Sequence, residues 1–98
     1  MTIANSVTKI GSSAFKNCTV LKSVTIPAKV TAIETGAFNG CKKLTTMTVK
    51  STKLKTVGKN ALKGIKSTAK IKVPSKKLTA YQKLLKSKGQ TENVRIVK

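Results

Sequence analysis

Few side chains in this sequence can do covalent chemistry. Cys18 and Cys41 are its two cysteines, Glu34 and Glu92 its two acids, and it has neither Asp nor His. General acid–base catalysis needs His, Asp or Glu within reach of one another, and the two Glu fall on different elements. Two thiols and two acids are too few for a closed metal site. A Cys nucleophile would lack its His base, and no Gly-rich phosphate loop is present. An enzyme is not expected, and no catalytic, metal or cofactor residues are assigned.

The chemistry that remains is electrostatic. Lys and Arg number 21 of 98 residues, for a net charge of +19. Apart from Arg95 every one is lysine. Such a surface attracts polyanions and repels itself. Lys is a hydrated point charge, whereas Arg is the bidentate reader of bases and phosphates. With one Arg, two Phe, one Tyr and no Trp, neither base-edge readout nor stacking on bases is supported. No specific nucleic-acid partner is expected, although salt-sensitive binding to any nucleic acid is.

What positions these residues is a repeat. With a shift of 23, Ile10 falls on Ile33, Ala14 on Ala37, Phe15 on Phe38 and Cys18 on Cys41. Leu21 then falls on Leu44, Val24 on Met47 and Ile26 on Val49. Backwards, Ile3, Val7 and Ile10 align with Ile26, Val30 and Ile33. Forwards one residue is added near Ser51, and Val57, Ala61, Leu62, Ile65, Ile71 and Val73 continue the columns at a shift of 24. A fixed period in this range is the mark of a solenoid, in which each coil buries its neighbour's apolar side. Alternation in Val24-Thr25-Ile26 predicts a short strand with Thr25 outward. A second short piece runs from Val30 to Ile33, and a tight turn carries the Ala-Phe pair.

The stretch "IGSSAFKNCTVLKSVTIPAKVTAIETGAFNGCKKL" resembles the BspA-type leucine-rich repeat, whose pattern is roughly I-G-x-x-A-F-x-x-C-x-x-L-x-x-I-x-I-P-x-x-V-x-x-I. The resemblance covers residues 3–73. The third coil departs from it at Leu62, Ile65 and Thr68, as expected beside a terminus. The expected fold is a leucine-rich-repeat solenoid of short β-strands and short helical turns. It has about three 23–24-residue coils and a C-terminal α-helix and short strand as a cap. Residues 1–74 are assigned to the repeats, the first truncated, and 75–98 to the cap. Met1 falls where Val24 falls one coil later, so a longer parent array is expected. The resemblance further implies a secreted or surface-displayed bacterial protein, and adhesion. "MTIANSVTK" has no apolar h-region, so any export signal is expected outside this stretch. No run approaches the ~20 apolar residues of a membrane span.

In the tail, Leu78, Tyr81, Leu84 and Leu85 recur at helical spacing, with Ser75 as N-cap and Gly89 as stop. "NVRIVK" reads as a strand. The helix is expected to cover the open end of the stack; a basic amphipathic helix also suits a membrane surface.

Two surfaces are candidates for binding. One is the outward strand face, with Ser23, Thr46 and Lys70 in one column and Thr2, Thr25, Thr48 and Lys72 in the next; Thr25, Thr46, Thr48, Lys70 and Lys72 are the candidate residues. Thr also suits any solvated strand, so the ladder has a purely structural explanation. The other is an edge carrying Lys16, Lys42, Lys43, Lys63 and Lys66, a footprint for an anionic polymer: glycosaminoglycan, mucin or teichoic acid. A host extracellular protein is the other candidate partner. Two alternatives stand beside adhesion: an architectural spacer carrying other modules, and non-specific polyanion binding. For Cys18 and Cys41, stacked strands about 4.8 Å apart make a disulfide conceivable, but free buried thiols in a packing column are expected.

Overall fold

The computed structural model describes residues 3–86, 88–90 and 94–98. Thr2 and Glu92 lie outside the described residues.

Among the described residues there are seven short strands: β1 (Lys9–Ile10), β2 (Ser23–Ile26), β3 (Ala32–Ile33), β4 (Thr46–Val49), β5 (Thr56–Val57), β6 (Lys70–Lys72) and β7 (Arg95–Val97); β3 is only the end of the expected Val30–Ile33 piece, and β7 begins after Val94. They form two parallel sheets, ordered β1-β3-β5 and β2-β4-β6-β7. The registers are those of the repeat. Ile10 pairs with Ile33, and Ile33 with Val57. Val24 pairs with Met47, and Met47 with Ile71. Each strand is therefore its neighbour one period later. This is a solenoid of short parallel strands, wound around one aliphatic interior.

The turns between the sheets stack by a ladder of their own. In the first turn alternate amides donate within the turn, Ala14 to the Gly11 carbonyl and Lys16 to Ser13. The intervening amides donate to the next coil: Ser13 to Thr35, Phe15 to Ala37 and Asn17 to Asn39. The second turn repeats the pattern, with Gly36 donating to Lys59, Phe38 to Ala61 and Gly40 to Lys63. Such winding needs left-handed backbone at two places per turn. Ser13, Gly36 and Asn60 supply one column, and Asn17, Gly40 and Gly64 the other. Gly and Asn tolerate that region best.

Inside, Phe15 and Phe38 stack with ring centroids 5.2 Å apart and planes 6° apart. Phe38, Leu62, Ile26, Ile33, Leu44 and Ile71 are fully buried. Each such side chain contributes roughly 1.5–3 kcal/mol on leaving water. Thr68, where the pattern expects Leu, is exposed; the adjacent Ala69 is buried instead.

After Val73 the chain departs from the expected tail in two details. Ser75 is not the N-cap of the α-helix. Ser75–Lys77 is a 3-10 turn with no side-chain cap, closed by the Lys77 amide donating to the Pro74 carbonyl at 2.9 Å. Helix α1 (Leu78–Leu85) begins only after it. Nor does Gly89 stop that helix. Lys86 already has extended backbone, with ψ 138°, and the Gln90 side-chain amide donates to the Leu85 carbonyl at 2.6 Å, satisfying a C-terminal acceptor. Gly89 has φ +94° and lies against Lys63.

Helix α1 packs on β5 and β7, burying Tyr81 and Leu85, with Leu78, Leu84, Val94 and Ile96 against the same core. Its apolar stripe is thus spent on the stack. Beyond it, β7 joins β6 in register, Lys70 with Arg95 and Ile71 with Ile96. The Leu62 amide, which has no further turn to meet, donates to the Lys88 carbonyl at 2.9 Å. No described helix is long and apolar enough to cross a membrane.

Candidate functional site

The outward strand face is built by sheet register. Ser23, Thr46, Lys70 and Arg95 form one column, and Thr25, Thr48, Lys72 and Val97 the next. Thr25, Thr46 and Thr48 are half-buried by their neighbours, while Lys70, Lys72 and Arg95 are exposed. The ladder therefore changes along the solenoid from hydroxyls to cations. Arg95 and Val97 were not among the expected face residues. The alternation Arg95-Ile96-Val97, echoing Lys70-Ile71-Lys72, was the available signal.

The lysine edge divides. Lys16, Lys42, Lys43, Lys63 and Lys66 are all exposed, but they do not converge on one place. Lys43 and Lys66 line a shallow depression of about 330 Å³ together with Lys22 and Thr45. Inter-coil hydrogen bonds hold it in shape. The Thr45 hydroxyl and amide both donate to the Lys22 carbonyl, at 3.1 and 2.8 Å, and the Lys66 amide donates to the Leu44 carbonyl at 3.3 Å. Successive coils thus bring three lysines and one threonine to the wall of a single depression. Lys16 and Lys63 lie elsewhere: their turns are separated by that of Asn39, whose carbonyl accepts from Asn17. Lys42 does not line the depression. Thr45 was missed because its column position reads as an ordinary turn residue.

A second depression, of about 390 Å³, opens on the first coil and is lined by Phe15, Cys18, Val20, Leu21, Lys22 and Ser23. Val20 is 82% exposed there. Phe15 and Cys18 are half-buried, whereas their counterparts Phe38 and Cys41 are fully buried. The difference is the neighbouring coil, which the second has on both sides. Both cysteines are free thiols. Cys41 donates from Sγ to the Phe15 carbonyl at 3.0 Å. Burial raises its thiol from the ordinary value, partly offset by the Cys18 backbone amide.

Among the described residues, no three His, Cys, Asp or Glu side chains lie close enough to hold a metal ion. Every buried side-chain nitrogen or oxygen among them has a hydrogen-bond partner. What the surface offers is cations, hydroxyls and one apolar opening.

No curated protein and no solved structure gives a significant match. The family model of the BspA type leucine-rich repeat region (6 copies) does match, over residues 1–98. Its extent agrees with parallel strands in register at one period, Phe and Cys columns, and turns wound through Gly and Asn. The chain belongs to the BspA-type leucine-rich repeat family.

Proposed function

We propose that this chain is a non-catalytic repeat module of a bacterial surface or secreted protein, and that it adheres to anionic polymers through its lysine edge. Residues 1–74 serve as the repeats. Residues 75–98 serve as a cap, because α1 and β7 cover apolar area and carbonyl acceptors that the third coil leaves open. The observation that carries the binding reading is the depression between Lys22, Lys43 and Lys66, with Thr45 at its wall. Three cations held on consecutive coils suit a chain of sulfates, phosphates or carboxylates running along the solenoid axis. Lys is adequate for this, since such a polymer is recognised by charge spacing and not by bidentate geometry. Glycosaminoglycan, mucin and teichoic acid share that chemistry.

The test is a salt titration of binding to heparin, duplex DNA and a matrix protein such as fibronectin. The reading predicts saturable binding to heparin that outlasts binding to DNA as salt rises. Equal loss for both polyanions near ~0.2 M salt would reduce the site to bulk charge. Retained binding to fibronectin alone would move the partner to protein, and binding to none of the three would make the chain a spacer.

A further inference from the structure

We propose that the outward sheet face carries a binding site for a tetrahedral oxyanion, a phosphate or sulfate group, held between Lys70, Lys72 and Arg95. Register places the three together. Lys70 of β6 pairs directly with Arg95 of β7, and Lys72 follows two residues along β6 on the same face. Adjacent strands lie about 4.8 Å apart, and alternate residues of one strand about 6.6 Å. Three cationic side chains therefore rise from one small cell, and all three are exposed. Thr46 and Thr48 flank the cell in register on β4, and Val97 stands at its fourth corner beside Lys72. Because β6 has a strand on each side, Lys70 and Lys72 belong to the middle of the sheet and not to its edge.

The repeat itself shows that the fold does not require these cations. Where the third coil has Lys70, the earlier coils have Ser23 and Thr46; where it has Lys72, they have Thr25 and Thr48. Like charges directly opposite one another on neighbouring strands are destabilising. Glu34, the only acid among the described residues, follows β3 in the other sheet, so no described carboxylate offsets the Lys70–Arg95 pair. The sheet thus holds repelling cations at positions that a neutral hydroxyl fills one coil earlier. A bound oxyanion removes that repulsion. Arg95, the sequence's one Arg, presents a planar fork that donates to two oxygens of a phosphate or sulfate at once, and the lysines add point charges. Four oxygens can be shared among three cations and a threonine hydroxyl, whereas a carboxylate has only two. The cell shares no residue with the depression of Lys22, Lys43 and Lys66, so it stands whether or not that depression binds a polymer.

The test is an amide-resolved NMR titration with inorganic phosphate at constant ionic strength, repeated with a heparin tetrasaccharide, on wild type, Lys70→Thr and Arg95→Thr. Lys70→Thr installs the residue that the preceding coil already carries in this column. Wild type should show saturable shifts at residues 70–72 and 95–97, with affinity reduced several-fold in both variants and unchanged in Lys43→Gln. Tighter saturation by the tetrasaccharide assigns the group to a polymer, and tighter saturation by phosphate assigns it to a free anion. In chloride alone Lys70→Thr should melt above wild type, and phosphate should narrow that gap by raising the wild type. Shifts spread evenly over the exposed lysines, shifts that neither variant weakens, or a Lys70→Thr that melts below wild type in chloride overturn the proposal.

Discussion

The Tyr81 hydroxyl donates to the Ser51 carbonyl at 2.8 Å and accepts the Leu54 amide at 3.1 Å. This ties helix α1 to the segment where the third coil is one residue longer than the second. The extra length leaves backbone groups without a neighbour in the ladder. Ser51, fully buried, takes up part of the load, donating to the Val30 carbonyl and accepting the Lys53 amide at 3.0 Å. Tyr81 takes the rest. Tyr81→Phe keeps the ring and strands a buried carbonyl and amide, which costs about 1–3 kcal/mol. Urea unfolding should show a lower midpoint with an unchanged m-value.

Gly11 and Gly58 hold the same position two coils apart, yet should respond oppositely to alanine. A Cβ on Gly11 meets nothing within 4 Å, and the substitution should stabilise by about 0.4–1 kcal/mol through the unfolded chain. A Cβ on Gly58 would lie 2.6 Å from the Glu34 carbonyl carbon and 2.6 Å from the Thr35 Cα. Backbone cannot step aside as a flexible side chain does, and overpacking of this kind costs about 1–3 kcal/mol. Thermal melts of the two variants should move in opposite directions.

Phe38 and Phe15 offer a second contrast within one column. Phe38→Ala empties a fully buried site and removes one face of the 5.2 Å ring stack, an expected loss of about 3–5 kcal/mol. Phe15→Ala should cost less, because a half-buried ring has less area to return to water. Equal losses in denaturant titrations would mean that the first coil is as closed as the second.

These contrasts mark how far the sequence could be followed. The solenoid and its registers were legible because the period is written in side-chain type: Ile, Ala-Phe, Cys, Leu, Val-x-Ile. The left-handed turn positions were half legible. Gly36, Gly40 and Gly64 announce themselves, whereas Ser13, Asn17 and Asn60 adopt the same backbone without a glycine. The tail was legible in kind but not in its ends. Ser75 and Gly89 are a sound local start and stop, but the ends were decided by a 3-10 turn after Pro74 and by the Gln90 side chain bonding back to Leu85. The lysine edge could be ordered along the chain but not in space. Which ammonium groups converge depends on how one coil's turn overlies the next, and the period does not encode that.

Binding to an anionic polymer should depend on where a lysine sits and not only on how many there are. Replacing Lys43 and Lys66 with Gln removes two cations from one depression. The slope of log K against log salt for heparin should fall by roughly one per contacting lysine. Replacing Lys29 and Lys53, exposed on other edges, removes the same formal charge. If both double variants lower the slope equally, the depression has no privileged role.

Cys41 should leave a mark on the pH dependence of stability. Burial raises its thiol above the ordinary value of 9.0. In the unfolded chain the thiol ionises first, so above that value the unfolded state holds fewer protons than the native one and stability falls with pH. The contribution is whole below about pH 9 and is lost as pH climbs toward the raised native value. The difference between wild type and Cys41→Ala isolates the thiol, since both carry the same lysines. That difference, followed by urea unfolding from pH 7 to 10, should stay flat to about pH 9 and then narrow. A difference that widens with pH would place the Cys41 sulfur in a site that prefers its thiolate.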